Sequence, residues 1–114
     1  MDSVMILLIA AEMAVEDNPS GGYTDNGHSY GPLCITKDCV KDVNRKYGRR
    51  YKWPDDMRSL ANSSDVFVLY TLRAKSYSER CRIHNAGYRG RNRKAAYSYS
   101  NKVMALFNES IGGR

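Results

Sequence analysis

The most hydrophobic stretch of the chain lies at its start, in residues 4–15, VMILLIAAEMAV. Apolar side chains cover nearly every face of a helix with this sequence, which predicts a central helix buried on most sides. Asp2 or Ser3 can cap its start by accepting a hydrogen bond from a backbone N–H group. The segment NPSGG at 18–22 favours a turn, so we expect the helix to end near Glu16.

A hairpin and a second helix follow in the pattern. Residues 23–33 predict a short hairpin, because Asp25-Asn26-Gly27 tolerates the positive φ angles that a tight turn requires. Residues 36–47 predict a helix that Thr36 caps and Gly48 ends. Its apolar positions are spaced for one buried face: Cys39, Val40 and Val43.

The second half of the chain predicts a helical turn at Asp55-Asp56 and three more helices. The third helix starts near Ser63 or Ser64 and contains VFVLYTLRA, and the fourth is short, over residues 78–85. A loop rich in glycine and arginine, GYRGRNRK, comes next. The last helix covers residues 96–109 and has a buried side of Val103, Met104, Leu106 and Phe107.

These elements together predict an α-rich α+β fold with about five helices and one short hairpin. A chain of 114 residues without a linker or repeat is expected to form a single domain, 1–114. We expect the tail, Gly112-Gly113-Arg114, to be disordered.

The composition of the chain limits the classes of partner that are expected. The net charge of +6 indicates an anionic partner, either nucleic acid or a bacterial wall polymer, although solvation alone often explains such a balance. The basic loops around Arg49 and at 89–94 lack the interleaved aromatic residues of a nucleic-acid platform, so no nucleic-acid partner is expected. Residues 4–15 are too short to span a bilayer, and they lack the basic start of a signal peptide.

Cysteine and histidine spacing gives no sign of a metal or redox cofactor. Cys34, Cys39 and Cys81 form no CxxC motif, and three reduced thiols are expected, although one bridge with one remaining thiol is an alternative. His28 and His84 stand too far from other ligand types in the sequence to predict a metal site. Serine elbows and phosphate-binding loops are absent from the sequence.

Two acidic residues, Glu16 and Asp25, are candidates for chemistry. Glu12 and Glu16 are four residues apart, so they share one face of the first helix. The helix dipole and apolar neighbours would raise the pKa of Glu16, as a general acid requires. Asp25 in a hydrated turn would remain ionised and could pair with Glu16 in cleaving a glycosidic bond. The plainer alternatives are a surface acid at a helix end and a turn-capping aspartate.

Tyrosines are concentrated near the segments expected to line a cleft. Such side chains offer sugar rings a flat apolar face and a hydroxyl group, although core burial explains many tyrosines equally well. These residues are Tyr23, Tyr30, Tyr88, Tyr97 and Tyr99.

Five segments, in order, resemble motifs of the lysozyme-like lytic transglycosylase and muramidase superfamily, in particular small phage or prophage members. Val15-Glu16 resembles "VES", DNGHSYGPLCI resembles "DNGxAxGPLQI", and CVKDVNRKYG resembles "VxDVNRxxG". RIHNAGYRG resembles "ARIWNGGPxG" and "YNAG", and Tyr99 and Val103 stand where the family carries "TxxYWxKV". The pattern is more distantly similar to invertebrate-type lysozymes. It covers about residues 5 to 108.

The resemblance implies a lysozyme-like fold and cleavage of the β-1,4 bond between N-acetylmuramic acid and N-acetylglucosamine in peptidoglycan. It implies that Glu16 is the catalytic acid, with Asp25 as a possible second carboxylate and no cofactor. Asn85 would bind substrate or orient the acid, and Tyr99 would approach it. The candidate substrate-binding residues are Ser29, Tyr30, Cys34, His84, Asn85, Tyr88 and Tyr99.

The motifs also depart from the family pattern. Asp17 replaces the usual serine, Cys34 replaces a glutamine that lines the cleft, and Ala96 and Ser100 replace a threonine and an aromatic residue. These changes predict reduced activity or unusual specificity. The competing hypothesis is therefore a wall-binding or virion structural module that keeps the fold without catalysis, and nucleic-acid binding is a third.

The same resemblance sets expectations for partners and location. The partner would be the glycan strands of peptidoglycan, and the protein would be a monomer without a membrane span. We expect synthesis in the host cytoplasm without a signal peptide of its own, followed by action on the bacterial wall after release or virion delivery. Hydrolysis and formation of an anhydro product are equally compatible with the motifs.

Overall fold

A computed structural model describes residues 2–112, in which the chain forms two compact units. One unit comprises Glu16–Leu72, and the other comprises the described residues on either side of it. The prediction of one domain spanning 1–114 stays a prediction. Each unit has a core of its own, and they are described separately.

The unit Glu16–Leu72 begins with a small antiparallel sheet. In order across the sheet, its strands are β1 (Tyr23–Thr24), β2 (Ser29–Tyr30) and β3 (Ile35–Thr36). β1 and β2 form the predicted hairpin, joined by a 3-10 turn at Asp25–Gly27. Asp25 and Asn26 have φ angles of 52° and 56°, as the turn chemistry predicts. The hydrophobic pattern does not predict β3, because a two-residue strand shows no alternation.

The second predicted helix is confirmed in this unit. The helix α2 (Lys37–Tyr47) begins after Thr36, whose Oγ1 accepts a hydrogen bond from the Cys39 N–H group at 3.2 Å. Gly48 ends the helix with a φ of 66°, a conformation that suits glycine. The predicted helical turn is a 3-10 helix at Asp55–Arg58.

The third helix, α3 (Leu60–Tyr70), differs from its prediction at both ends. Ser59 caps it with its side chain, so the predicted start near Ser63 or Ser64 is wrong. Ser63 instead donates its hydroxyl to the Met57 carbonyl at 2.7 Å from inside the helix. The helix also ends before TLRA, the last part of the segment assigned to it.

Apolar side chains from the sheet and both helices form the core of this unit. They are Tyr30, Leu33, Ile35, Cys39, Val40, Val43, Met57, Val66 and Phe67. Gly31 has a φ of 89° at the corner after β2, and a Cβ atom there would lie 2.0 Å from the Met57 carbonyl oxygen. Only glycine fits this corner, because a side chain would both strain the backbone and collide with Met57.

The other unit contains most of α1 (Ser3–Glu16), which begins at its predicted cap. Asp2 Oδ1 accepts a hydrogen bond from the Met5 N–H group at 2.8 Å. The burial of α1 is more one-sided than its sequence predicts, because Ile6 is 54% exposed and Ala10 and Ala14 are also exposed. The buried residues of the helix are Met5, Leu8, Ile9, Ala11 and Glu12.

Two long helices complete this unit and pack against each other: α4 (Tyr77–Gly90) and α5 (Lys94–Gly112). The prediction of a short fourth helix and a long loop is wrong, because α4 continues to Gly90 through a kink at Gly87, where φ is 75°. On α5, Val103 and Phe107 are buried as predicted, but Leu106 is 40% exposed. The predicted tail begins inside α5 at Gly112, and residues 113 and 114 lie outside the described residues.

The fold is α+β and rich in helix, as the sequence predicts. Within residues 2–112 it comprises five α-helices and a three-stranded antiparallel sheet. None of the helices in this range is both long and apolar enough to cross a membrane.

Candidate active site

Glu16 is the last residue of α1, and its side chain is half-buried. Asp17 follows with a φ of 51°, a left-handed conformation that ends the helix. Asn18 then donates hydrogen bonds from Nδ2 to the carbonyl oxygens of Gly22 at 3.0 Å and Gly31 at 2.9 Å. The backbone that leaves Glu16 is therefore tied to the corner of the sheet.

Cys34 connects the two candidate carboxylates of this unit. Burial raises the pKa of its thiol to about 11, and the negative charges of Glu16 and Asp25 add to that shift. The protonated thiol donates a hydrogen bond to the Glu16 carboxylate. Both predicted acids therefore lie close enough to Cys34 to act on it electrostatically, and the structure brings the helix end and the hairpin turn together.

Asp25 is exposed on the hairpin, where Ser29 Oγ donates a hydrogen bond to its Oδ2 at 3.0 Å. Ser29 and Tyr30 are 3% and 4% exposed. The Tyr30 hydroxyl accepts a hydrogen bond from Arg58 Nη2, and the Arg58 guanidinium lies 5.7 Å from the ring centroid. Burial leaves little of Ser29 or Tyr30 for a ligand to contact, so their substrate-binding role stays a prediction.

Four residues around this cluster have left-handed backbone. Among residues 2–112, the non-glycine residues with positive φ are Asp17, Asp25, Asn26 and Cys34. Aspartate and asparagine adopt this conformation readily, so Cys34 is the residue of the four whose backbone is strained. All four lie within 18 positions of Glu16 (34 − 16), in the segment that the motifs single out.

The other unit holds a second, fully buried acid, Glu12. The Tyr99 hydroxyl donates a hydrogen bond to Glu12 Oε2, and His84 Nε2 lies 3.8 Å from the same oxygen, an ion-pair distance when the imidazole is protonated. Burial raises the pKa of the Cys81 thiol, the charge of Glu12 raises it further, and the thiol donates a hydrogen bond to Glu12. Glu12 is therefore the centre of a buried polar cluster.

The remaining predicted site residues lie in this same unit. The His84 side chain is only 4% exposed, whereas Asn85 is exposed. Tyr88 is half-buried, with the Arg73 guanidinium 5.3 Å from its ring centroid. His84 and Tyr99 therefore meet at Glu12, and a substrate-binding role for Asn85 and Tyr88 stays a prediction.

Glu12 is the residue that the sequence prediction underused. The signal was present, because an acid inside an otherwise apolar helix must find polar partners when it is buried. Its partners lie more than 65 residues away in sequence, at Cys81, His84 and Tyr99 (81 − 12 = 69). Helical spacing alone does not identify them.

The two acids suit different chemistry. Glu16 is partly open to solvent and can exchange a proton with a bound molecule. Glu12 has no exposed surface, so its carboxylate organises the side chains around it. The carboxylate of Glu12 and the imidazole of His84 are also ligand types for a divalent cation.

Comparison with known proteins returns no family. No family model matches the chain, and no curated protein and no solved structure matches it either. The resemblance to lysozyme-like enzymes therefore depends on the five sequence motifs and on the chemistry of the residues themselves.

Proposed function

We propose that this protein cleaves the β-1,4 bond between N-acetylmuramic acid and N-acetylglucosamine in peptidoglycan, with Glu16 as the general acid. The observation that carries the proposal is the setting of Glu16. It is half-buried at a helix end, the thiol of Cys34 lies beside it, and Asp25 acts on the same thiol. The first of the five motifs, Val15-Glu16, identifies the same glutamate, and the net charge of +6 favours an anionic wall.

Glu16 first acts as an acid and then as a base. Its protonated carboxyl group transfers the proton to the glycosidic oxygen while the bond from that oxygen to the anomeric carbon breaks. The carboxylate then accepts a proton either from water, which adds to the anomeric carbon, or from the 6-hydroxyl of the same muramic acid residue. The first route is hydrolysis, and the second forms an anhydro sugar. Glu16 regains its proton in both.

Asp25 has two candidate roles in this mechanism. As an ionised carboxylate it could stabilise positive charge on the sugar ring, the arrangement of two-carboxylate glycosidases. The hydrogen bond from Ser29 equally suits a residue that stabilises the hairpin turn. Asp25→Asn separates these roles, because it removes the charge while an asparagine oxygen can still accept the Ser29 hydrogen bond. A catalytic Asp25 predicts a loss of rate, and a structural one predicts a normal rate.

The proposal is tested on purified bacterial sacculi. We expect the wild-type protein to release soluble muropeptides, and Glu16→Gln to lower the rate at least about 100-fold, the usual contribution of a general acid. Asp17→Asn is the matched control, since it removes a neighbouring carboxylate and asparagine also accepts a left-handed backbone. The masses of the products distinguish the routes, because anhydro products are lighter than hydrolysed ones by one water molecule.

The same experiment decides against the competing hypothesis of a module that binds the wall without cleaving it. A non-catalytic module binds sacculi equally well with glutamate or glutamine at position 16 and releases no muropeptides. Release that depends on Glu16 and not on Asp17 supports the enzyme. Folded wild-type protein that binds sacculi and releases nothing rejects it.

A further inference from the structure

An open groove of about 520 Å³ lies in the unit Glu16–Leu72, beside the hairpin turn. Three parts of the chain form it: the end of the turn after Asp25, the start of α2, and the loop before the 3-10 helix at Asp55–Arg58. Its lining residues are Gly27, His28, Thr36, Lys37, Asp38 and Trp53. A volume of this size falls within the roughly 300–1,000 Å³ of pockets that hold small ligands.

Trp53 gives the groove a fixed aromatic wall. It is the only tryptophan of the chain and is half-buried. Its Nε1–H group donates a hydrogen bond to the Ile35 carbonyl at 2.9 Å, which holds the indole in one orientation. Tyr23, 59% exposed, lies edge-on to it with ring centroids 6.1 Å apart. The wall is therefore positioned before any ligand arrives, which lowers the entropic cost of binding.

The rest of the groove is polar and carries both signs of charge. His28, Lys37 and Asp38 are exposed, so their side chains are available to a ligand. Lys37 donates hydrogen bonds, Asp38 accepts them, and the imidazole of His28 can do either. A sugar with hydroxyl and acetamido groups needs this mixture of donors and acceptors beside a flat apolar surface.

A nucleic acid suits the groove less well. Binding a phosphate backbone depends on cations whose charge is not neutralised by neighbouring acids. Here Asp38 stands next to Lys37 in sequence and lines the same groove. The mixed charge favours a ligand that carries hydroxyl and amide groups over a polyanion.

We propose that this groove binds an N-acetylated amino sugar of a β-1,4-linked glycan strand, with the sugar ring stacked on Trp53 and its polar groups on Lys37 and Asp38. This inference rests on the proposed function, because it assigns the glycan a second contact apart from Glu16. The contact would hold a strand on the protein during and between cleavage events.

The single tryptophan makes the proposal directly measurable. The Glu16→Gln protein, which is not expected to cut the ligand, is titrated with chitotetraose while the fluorescence of Trp53 is recorded. We expect a saturable change in intensity. A parallel titration with muropeptide-derived glycan fragments distinguishes wall glycan from a general preference for N-acetylglucosamine chains.

Groove variants show where the sugar binds. In the same Glu16→Gln background, Asp38→Ala and Lys37→Ala are each expected to weaken binding about ten-fold, the loss of one or two hydrogen bonds to the ligand. Lys41→Ala is the matched control, since Lys41 is an exposed lysine of the same helix outside the groove. Trp53→Phe, followed by calorimetry, is expected to weaken binding while keeping a smaller aromatic wall.

The outcomes separate this proposal from the enzyme itself. Saturable binding that Asp38→Ala weakens and Lys41→Ala does not supports the groove, even when wild-type protein fails to cleave sacculi. Unchanged fluorescence at saturating glycan, or equal affinity in the groove and control variants, overturns the groove, even when cleavage is confirmed.

Discussion

Glu12 and Glu16 are one helical turn apart in sequence, yet they differ in burial. Glu12 is fully buried and interacts with Tyr99, His84 and Cys81. Glu16 ends the helix half-buried, beside a thiol and a polar hairpin. Two carboxylates on one helix can therefore differ in whether solvent reaches them, and only Glu16 is open to a bound molecule.

The largest effect on stability is expected at Glu12. Glu12→Ala would leave a cavity and leave the Tyr99 hydroxyl without its acceptor, and should lower the free energy of unfolding by roughly 3 kcal/mol. Urea unfolding at equilibrium measures this loss. Glu109→Ala, at an exposed position of α5, should change stability by less than about 0.5 kcal/mol. Equal stabilities for the two variants would contradict a structural role for Glu12.

The pH dependence of Cys34 alkylation provides a test of the surroundings of Glu16. Its pKa of about 11, against an ordinary value of 9.0, predicts about 100-fold less thiolate at pH 8 (11 − 9 = 2 pH units). Alkylation by iodoacetamide should therefore accelerate with pH up to about 11. Cys34→Ser identifies the labelled site by mass.

The same assay links Cys34 to the carboxylate. Glu16→Gln removes a negative charge that raises the pKa of the thiol, so the pH profile should shift to lower pH. An identical profile in both proteins would show that Glu16 and Cys34 do not interact.

Tyr99 provides a smaller test of the buried cluster. Tyr99→Phe keeps the ring and removes the hydroxyl that donates to Glu12, which should cost about 1–2 kcal/mol of stability. Tyr97→Phe on the same helix is the control, because its ring still faces the Arg82 guanidinium at 4.3 Å. The buried cluster is rejected when the two variants unfold at the same urea concentration.

Prediction from sequence succeeded where a local rule sets the structure. Thr36 and Gly48 fixed the limits of α2, and Asp25 and Asn26 fixed the turn, because caps and left-handed backbone depend on nearby residues. It failed at the start of α3, where the sequence offers several serines as the cap. Ser63 is excluded from that role by tertiary packing, because its hydroxyl donates to the Met57 carbonyl from inside the helix. The fourth helix was predicted to end near residue 85, but α4 continues through the kink at Gly87 to Gly90.

The features of the candidate site also fall into those that the sequence predicts and those that it does not. The acid at the end of α1 and the acid in the hairpin turn could be identified from the sequence, because both depend on local patterns and on motifs. The proximity of Cys34 to both acids and the partners of Glu12 could not, since they depend on how distant segments pack. The burial of Ser29 and Tyr30 is likewise a consequence of packing.

The smallest effect on stability is expected at a partly exposed ion pair, in contrast to the buried cluster around Glu12. Arg49 Nε lies 2.8 Å from Asp65 Oδ2, and hydrogen bonding from Arg49 lowers the pKa of Asp65. A lowered carboxyl pKa stabilises the fold above the ordinary carboxyl range, and the contribution is lost as pH falls through the lowered pKa.

Asp65→Asn should therefore cost roughly 0.5 kcal/mol at pH 7, and the difference from wild type should shrink as the solution is acidified. Asp55→Asn, at an exposed position of the same unit, is the control. Urea unfolding across an acid pH series measures both variants. A stability difference between Asp65→Asn and wild type that grows at low pH would contradict this prediction, because the pH dependence would then have the opposite sign.

The comparison of the two acids is tested most directly by cleavage of sacculi per folded molecule, measured for Glu16→Gln and Glu12→Gln side by side. Glu16→Gln is expected to lower the rate at least about 100-fold. Glu12→Gln, once corrected for the fraction folded, is expected to stay within about ten-fold of wild type, because the amide oxygen can still accept the Tyr99 hydrogen bond. The opposite result, with Glu12→Gln inactive and Glu16→Gln active, would contradict the account.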